Sequence, residues 1–210
     1  MGTWGEGLYD NDAALDLLAD LVDSIDPEQS PTHLAVGLGL KLWMLPVHVD
    51  TGADEVRRIL DRKQDWLAKL PAPARAELQA LAANPKAMSE RPGSRSPENR
   101  AIIGGYENGP RVDALFQVEG ASEVLAGLAE RLGKVLDEAL EAEADLYEVS
   151  DSLAALGMLL ELRAIGVRSA PARIERWKQA YAAADRATRE ERGFWDAYSA
   201  RVLQALERLS

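Results

Sequence analysis

The 210-residue sequence contains no cysteine, two histidines and two phenylalanines. Without cysteine there is no disulfide, no zinc–thiolate centre and no cysteine nucleophile. The histidines, His33 and His48, stand apart from any metal pattern. Neither lies in an HExxH motif, and no glutamate precedes either by three residues, as a di-iron bundle would need. A phosphate-cradling GxxxxGK[ST] loop and a GxSxG elbow are absent. These absences lean away from an enzyme and imply no cofactor. No apolar run reaches membrane-spanning length: the longest, LAVGLGLKLWMLPVHV, is broken by Lys41, Pro46 and His48. The amino end has neither a basic region nor an apolar run of signal length, so the cytoplasm is the expected setting, without a membrane partner.

Basic residues are missing where acidic ones are dense. The net charge is −11, which argues against nucleic acid as a partner, because phosphate backbones demand clustered Lys and Arg. The first 40 residues hold eight acidic residues and no Lys or Arg.

Apolar residues recur at three and four nearly throughout, which predicts an all-α protein. Leu15, Leu18, Val22 and Ile25 mark a first helix that Pro27 ends. Others are expected over 32–45, 53–70 and a short stretch after Pro73 carrying Leu78 and Leu81. Then the composition changes. NPKAMSERPGSRSPENR, residues 84–100, reads as an exposed Pro/Ser/Arg-rich linker, and AIIGGYENGP as a short extended segment and turn. Further helices are expected over 112–118, 121–144, 146–165, 171–187 and 189–209.

The two halves resemble each other. GLGLKLWMLPVHVDTGADEVRRIL aligns without a gap on ALGMLLELRAIGVRSAPARIERWK, so that Leu38 meets Leu156, Gly39 meets Gly157 and Arg58 meets Arg176. The string LQAL recurs at Leu78–Leu81 and Leu203–Leu206. Two related four-helix units are therefore expected, an internal duplication, with boundaries 1–84, 85–110 for the linker, and 111–210.

The charge layout follows the same frame. Asp12, Asp16, Asp20 and Asp23 share one stripe of the first helix, opposite its leucines. Residues 135–160 are again acid-only, with Glu138, Glu141, Asp145 and Glu148 among them. Each acidic region is followed by a basic one, beginning at Arg57 and at Arg163. Either the two signs compensate internally, or an acidic face engages a basic partner protein. Glu161, in LLELR, occupies the position that Trp43 holds in the first copy; it points outward or pairs with Arg163 or Arg173. Trp43, Trp66, Trp177 and Trp195 lie at helical spacing among leucines, as core or interface anchors.

Asp10-Asn11-Asp12 has oxygen ligands but lacks the central Gly and distal Glu of a calcium loop. Helix capping by Asn11 or Asp12 is the better account. This same opening, Trp4-Gly5-x-Gly7-x-Tyr9-Asp10-Asn11-Asp12, resembles the N-terminal signature of a bacterial family, domain of unknown function 4259, with Tyr9 where Phe is commoner. The resemblance covers about the first 30 residues. It implies a mainly helical bacterial protein and supplies no catalytic residues. The combined expectation is an acidic protein-binding module of the immunity or antitoxin type, directed at a basic partner. The alternatives are a structural module, as a homo-oligomer, and a metal- or ligand-binding enzyme built on Asp10, Asp12 and Glu161.

Overall fold

A computed structural model describes residues 7–10, 12–45, 49–104, 108–141, 146–188 and 195–210. The fold is all-α: α1 Asp12–Asp23, α2 Pro31–Met44, α3 Val49–Arg62, α4 Gln64–Lys69, α5 Ala72–Ala83, α6 Lys86–Ser89, α7 Pro97–Ile103, α8 Asp113–Phe116, α9 Ala121–Glu141, α10 Leu146–Ala164, α11 Pro171–Thr188 and α12 Trp195–Leu209. Among the described residues there is no strand, and no helix is long and apolar enough to cross a membrane.

The chain forms two compact units, each discontinuous in sequence. The terminal unit comprises Met1–Leu18, Arg95–Tyr106 and Ala126–Ser210; the inner unit comprises Ala19–Ser94 and Glu107–Leu125. This division differs from the expected 1–84, 85–110 and 111–210, because much of the expected linker is built into the fold. Arg95, Asn99, Ile102 and Ile103 are buried. The exposed-linker reading of 84–100 is corrected at Arg95 and Asn99, which are buried, and at residues 97–100, which are helical, and the extended reading of Ile102-Ile103 is replaced by helix. The local cause is capping. The Ser96 hydroxyl accepts from the Asn99 N–H at 3.2 Å, and Pro97 occupies the first turn, where its missing N–H costs nothing.

A second correction concerns the expected helix over 53–70. It divides into α3 and α4 at Lys63, whose backbone leaves the helical region (φ −132°, ψ 51°). The Lys63 ammonium reaches the Glu28 carbonyl at 3.3 Å and stands 3.7 Å from the centre of the Trp66 ring. A cation over an indole face favours that bend.

Each unit is organised on one helix that is apolar almost all round, the pattern of a fully buried helix. In the inner unit this is α2, buried from Leu34 to Leu45 except at Lys41. Around it α3, α4 and α8 pack, with α5 against α3 and α8. In the terminal unit it is α10, buried from Ser152 to Leu162. There α12 packs against α10, α11 and α7, and α7 also meets α10. Two aligned glycines admit aromatic rings to these helices. A Cβ at Gly39 would stand 2.7 Å from Phe116 Cε1, and one at Gly157 would collide with Tyr9 Cε1. The two LQAL strings behave differently: Leu78 is fully buried, whereas Leu203 is 36% exposed. In α12 the inward residues are Val202, Ala205, Leu206 and Leu209.

Substituting Gly157→Ala is expected to lower stability by about 1–3 kcal/mol, the usual cost of overpacking. Gly127, on α9, has nothing within 4 Å of an added Cβ. Gly127→Ala is expected to raise stability by up to about 1 kcal/mol through helix propensity. Urea unfolding of both variants checks the pair, and an equal effect at the two sites would refute the assigned packing.

Candidate functional site

The amino-terminal signature is seated in the terminal unit on the end of α7. The Leu8 N–H donates to the Ile102 carbonyl at 3.2 Å and the Tyr9 N–H to the Ile103 carbonyl at 2.8 Å. These are two of the carbonyls a short helix leaves unpaired at its C-terminus. Gly104 ends α7 at φ 110°, a conformation that L side chains rarely adopt. A Cβ at Gly7 would collide with the Gly104 backbone, and one at Gly104 with the Asp10 carboxylate. The Asp10 carboxylate accepts from the Gly7 N–H at 2.8 Å and is itself buried over Gly104.

Beneath this turn lies a buried ion pair. Arg95 Nε donates to Glu161 Oε1 at 2.5 Å, with the two side chains only 3% and 2% exposed. The Arg95 guanidinium carbon is 5.7 Å from the centre of the Tyr9 ring. The sequence dictates half of this pair. Glu161 sits in a helix buried on every side, and a carboxylate there requires a cation. The expected partners Arg163 and Arg173 are both engaged elsewhere. Arg163 donates to the Leu209 carbonyl at 2.5 Å, and Arg173 binds Glu130 and Asp137. Arg95 was hidden by the polar composition around it; its position directly before the Ser96-Pro97 helix start was the available signal.

Gly7, Tyr9 and Asp10 of the signature are thus brought together, and Asp12 opens α1 on an exposed position. The capping role expected of Asn11, and Trp4 and Gly5, lie outside the described residues. Asp10 closes its own turn onto Gly7.

The acidic faces differ from one another. Asp12, Asp16, Asp20 and Asp23 are all exposed on α1. Asp23 pairs with Lys41 at 2.9 Å, whereas Asp16 and Asp20 have no ion pair among the described residues. On α9, Glu130 and Asp137 are answered within the unit, whereas Glu138 has no ion pair among the described residues. Arg173 bonds Glu130 at 2.7 Å and Asp137 at 2.7 Å, and Arg176 reaches Asp137 at 2.6 Å. The buried indole of Trp177 also donates to Asp137, at 2.7 Å. Burial pushes the Asp137 carboxyl up, but the hydrogen bonds from Arg173, Trp177 and Arg176 outweigh it and hold the group below its ordinary 3.8. Glu138 is exposed on α9. Glu141 and Glu148 belong to α9 and α10, but their side chains, and all of Asp145, lie outside the described residues.

Among the described residues no three His, Asp or Glu side chains converge as metal ligands. No protein-family model, curated protein or solved structure matches the chain.

Removing one partner of the buried pair, by Arg95→Met or Glu161→Leu, is expected to cost about 3–5 kcal/mol. The double substitution is expected to cost less than either single change, because no unpaired charge remains. A double-mutant cycle in urea checks this; additive losses would show that the two charges do not depend on each other.

Asp137→Ala is expected to cost about 1–3 kcal/mol, since the Trp177 N–H loses its buried acceptor. The lowered folded-state value fixes the sign with pH. Stability from Asp137 is fully present above 3.8 and is lost as pH falls below 3.8 through the depressed value. Comparing acid unfolding of the parent with that of Asp137→Ala reads that loss, which the variant should no longer show.

Proposed function

We propose that this is an acidic protein-binding module whose exposed α1 face engages a basic partner protein, in the manner of an immunity or antitoxin-type inhibitor. The observation that carries the reading is the contrast between Asp16 and Asp20, exposed and without an internal counter-ion among the described residues, and the fully answered Asp137. A face of one charge sign steers association and selects partners of the opposite sign. The net charge of −11 acts in the same direction.

The reading includes two further elements: the chain as an internal duplication, and kinship with the bacterial family whose signature it opens with. In the duplication frame Arg173 corresponds to Glu55 and Asp137 to Ala19. The clamp of the second copy therefore has no counterpart in the first, and the first acidic helix is left for an external cation. The rival assignment of Asp10 and Glu161 to a metal has less support, because each already accepts from a protein donor.

The test uses the basic proteins encoded beside this gene, with the full chain immobilised and association followed at low and at half-molar salt. The parent should bind one of them with a rate that falls steeply with salt. The Asp16→Lys/Asp20→Lys variant should associate at least about 10-fold more slowly at low salt. Binding unchanged by the double reversal would exclude the α1 face. Binding to none of these proteins would exclude the proposed class of partner.

A further inference from the structure

Asn108 precedes Gly109, and none of the other asparagines, Asn11, Asn84 and Asn99, is followed by glycine. In an open chain this pair is the one most prone to lose its side-chain amide, because glycine puts no side chain beside the backbone nitrogen that attacks. The inner unit holds both reacting groups. The Gly109 N–H donates to the Trp43 carbonyl at 2.6 Å. That carbonyl belongs to the last turn of α2, where no later residue of the helix can answer it. The buried Asn108 carboxamide is gripped at both ends by Ser94. Its Oδ1 accepts from the Ser94 N–H at 3.1 Å, and its Nδ2 donates to Ser94 Oγ at 3.3 Å. The same hydroxyl donates to the Gly109 carbonyl at 3.3 Å and accepts from the Trp43 indole at 2.6 Å.

We propose that Asn108 is a deamidation site guarded by the fold of the inner unit, and that opening of the Ser94 clasp releases it. The reaction needs only water. The Gly109 nitrogen attacks Asn108 Cγ and gives up its proton to solvent as the new N–C bond forms. The Cγ–Nδ2 bond breaks, and ammonia leaves with a proton taken from solvent. Water then opens the cyclic imide at either carbonyl, leaving aspartate or isoaspartate. One water is consumed, one ammonia is released, and nothing is oxidised or reduced. In the closed unit neither reactant is available. The attacking N–H is committed to Trp43, and turning the carboxamide breaks both of its bonds to Ser94.

The clasp sits where opening is easy. Ser94 follows α6 on a stretch without helix, and Glu90, Arg91, Pro92 and Ser94 are exposed. Segments with few buried contacts open at far lower free energy than packed helices. The outcome is one-way. A carboxylate at position 108 has no N–H to donate to Ser94 Oγ, and it stands in a buried place, where an ionised group is costly. Isoaspartate also lengthens the backbone by a methylene, which draws the Gly109 N–H away from the end of α2. Each opening that reacts therefore weakens the clasp that had prevented it.

The test incubates the full chain at neutral pH in heavy-oxygen water, folded and in parallel in unfolding urea, and maps its peptides by mass spectrometry. In urea Asn108 should take up heavy oxygen faster than Asn11, Asn84 and Asn99. In the folded parent it should react at least about 10-fold more slowly, the factor that a modest local opening free energy imposes. Ser94→Ala removes the hydroxyl and keeps the backbone N–H. It should raise the folded-state rate by up to about 10-fold, the worth of the one or two hydrogen bonds lost. Equal rates in the folded and unfolded chain overturn the guard, and an unreactive Asn108 in urea overturns the site. A Ser94→Ala rate equal to the parent's overturns the role of the clasp. Should Ser94→Ala fail to fold, hydrogen exchange of the Gly109 amide in the parent is decisive. Strong protection upholds the proposal, and exchange as fast as in the unfolded chain overturns it.

Discussion

The terminal unit is organised on one demand: a carboxylate inside an apolar helix must be answered. Glu161 lies in the last turns of α10, where every residue from Ser152 to Leu162 is buried. The answering charge comes from Arg95, more than sixty residues earlier in the chain, at a separation of 2.5 Å. To deliver it, the chain must enter α7 at a fixed place, directly beside α10. Once α7 is fixed there, its last carbonyls are available to Leu8 and Tyr9, and its terminal Gly104 lets Gly7 and Asp10 close over it. Such a pair is weak as a source of net stability but strongly intolerant of losing one member. Its contribution is to specify which segment lies against α10.

The consecutive residues Ser94 and Arg95 show how economically the middle of the chain is used. Ser94 belongs to the inner unit, where it accepts from Trp43 and its N–H donates to Asn108 at 3.1 Å. Arg95 belongs to the terminal unit, where it meets Glu161. Trp43 and Glu161 occupy matching positions in the alignment of the two halves. A long polar side chain at that position reaches the middle segment in each unit, once as an indole donor and once as a carboxylate. The matching Gly39 and Gly157 each lie under an aromatic ring. The LQAL strings, by contrast, place Leu78 inward and Leu203 at the surface, so equal letters there carry different packing.

How much of this is legible in the sequence depends on the range of the interaction. Helix periodicity is local, and it gave the all-α class and most helix positions within a few residues. Capping is local too: Ser96-Pro97 marks a helix start as clearly as Ser30-Pro31 does, where the Ser30 hydroxyl accepts from the His33 N–H. The linker reading missed α7 because it weighed composition above that signal. The break at Lys63 was harder to see, because its causes include Glu28, remote in sequence, as well as the adjacent Trp66. The Arg95–Glu161 pair was half legible. Glu161 advertises a need for a cation, but nothing local identifies which of many arginines supplies it. The signature residues Gly7, Tyr9 and Asp10 were recognisable as a set, yet their physical reason, room for Gly104 and Gly157 to approach, exists only in three dimensions.

The charges were legible as a pattern but not as an outcome. Acidic regions followed by basic ones suggested either compensation or a partner, and the fold compensates some of these charges and leaves others exposed. On α9 compensation prevails because one carboxylate, Asp137, faces two arginines and an indole N–H at once, with Glu130 sharing Arg173. Such a many-sided contact is worth far more than an isolated surface pair, whose typical value is about 0–1 kcal/mol. On α1, Asp23 at the carboxyl end of the stripe meets Lys41. Adding one more internal cation there would stabilise little, so an all-acid face at Asp16 and Asp20 costs the fold little to keep. That leaves Asp16 and Asp20 open to being shaped by association, whereas Glu130 and Asp137 of α9 are held by Arg173 and Arg176 of α11.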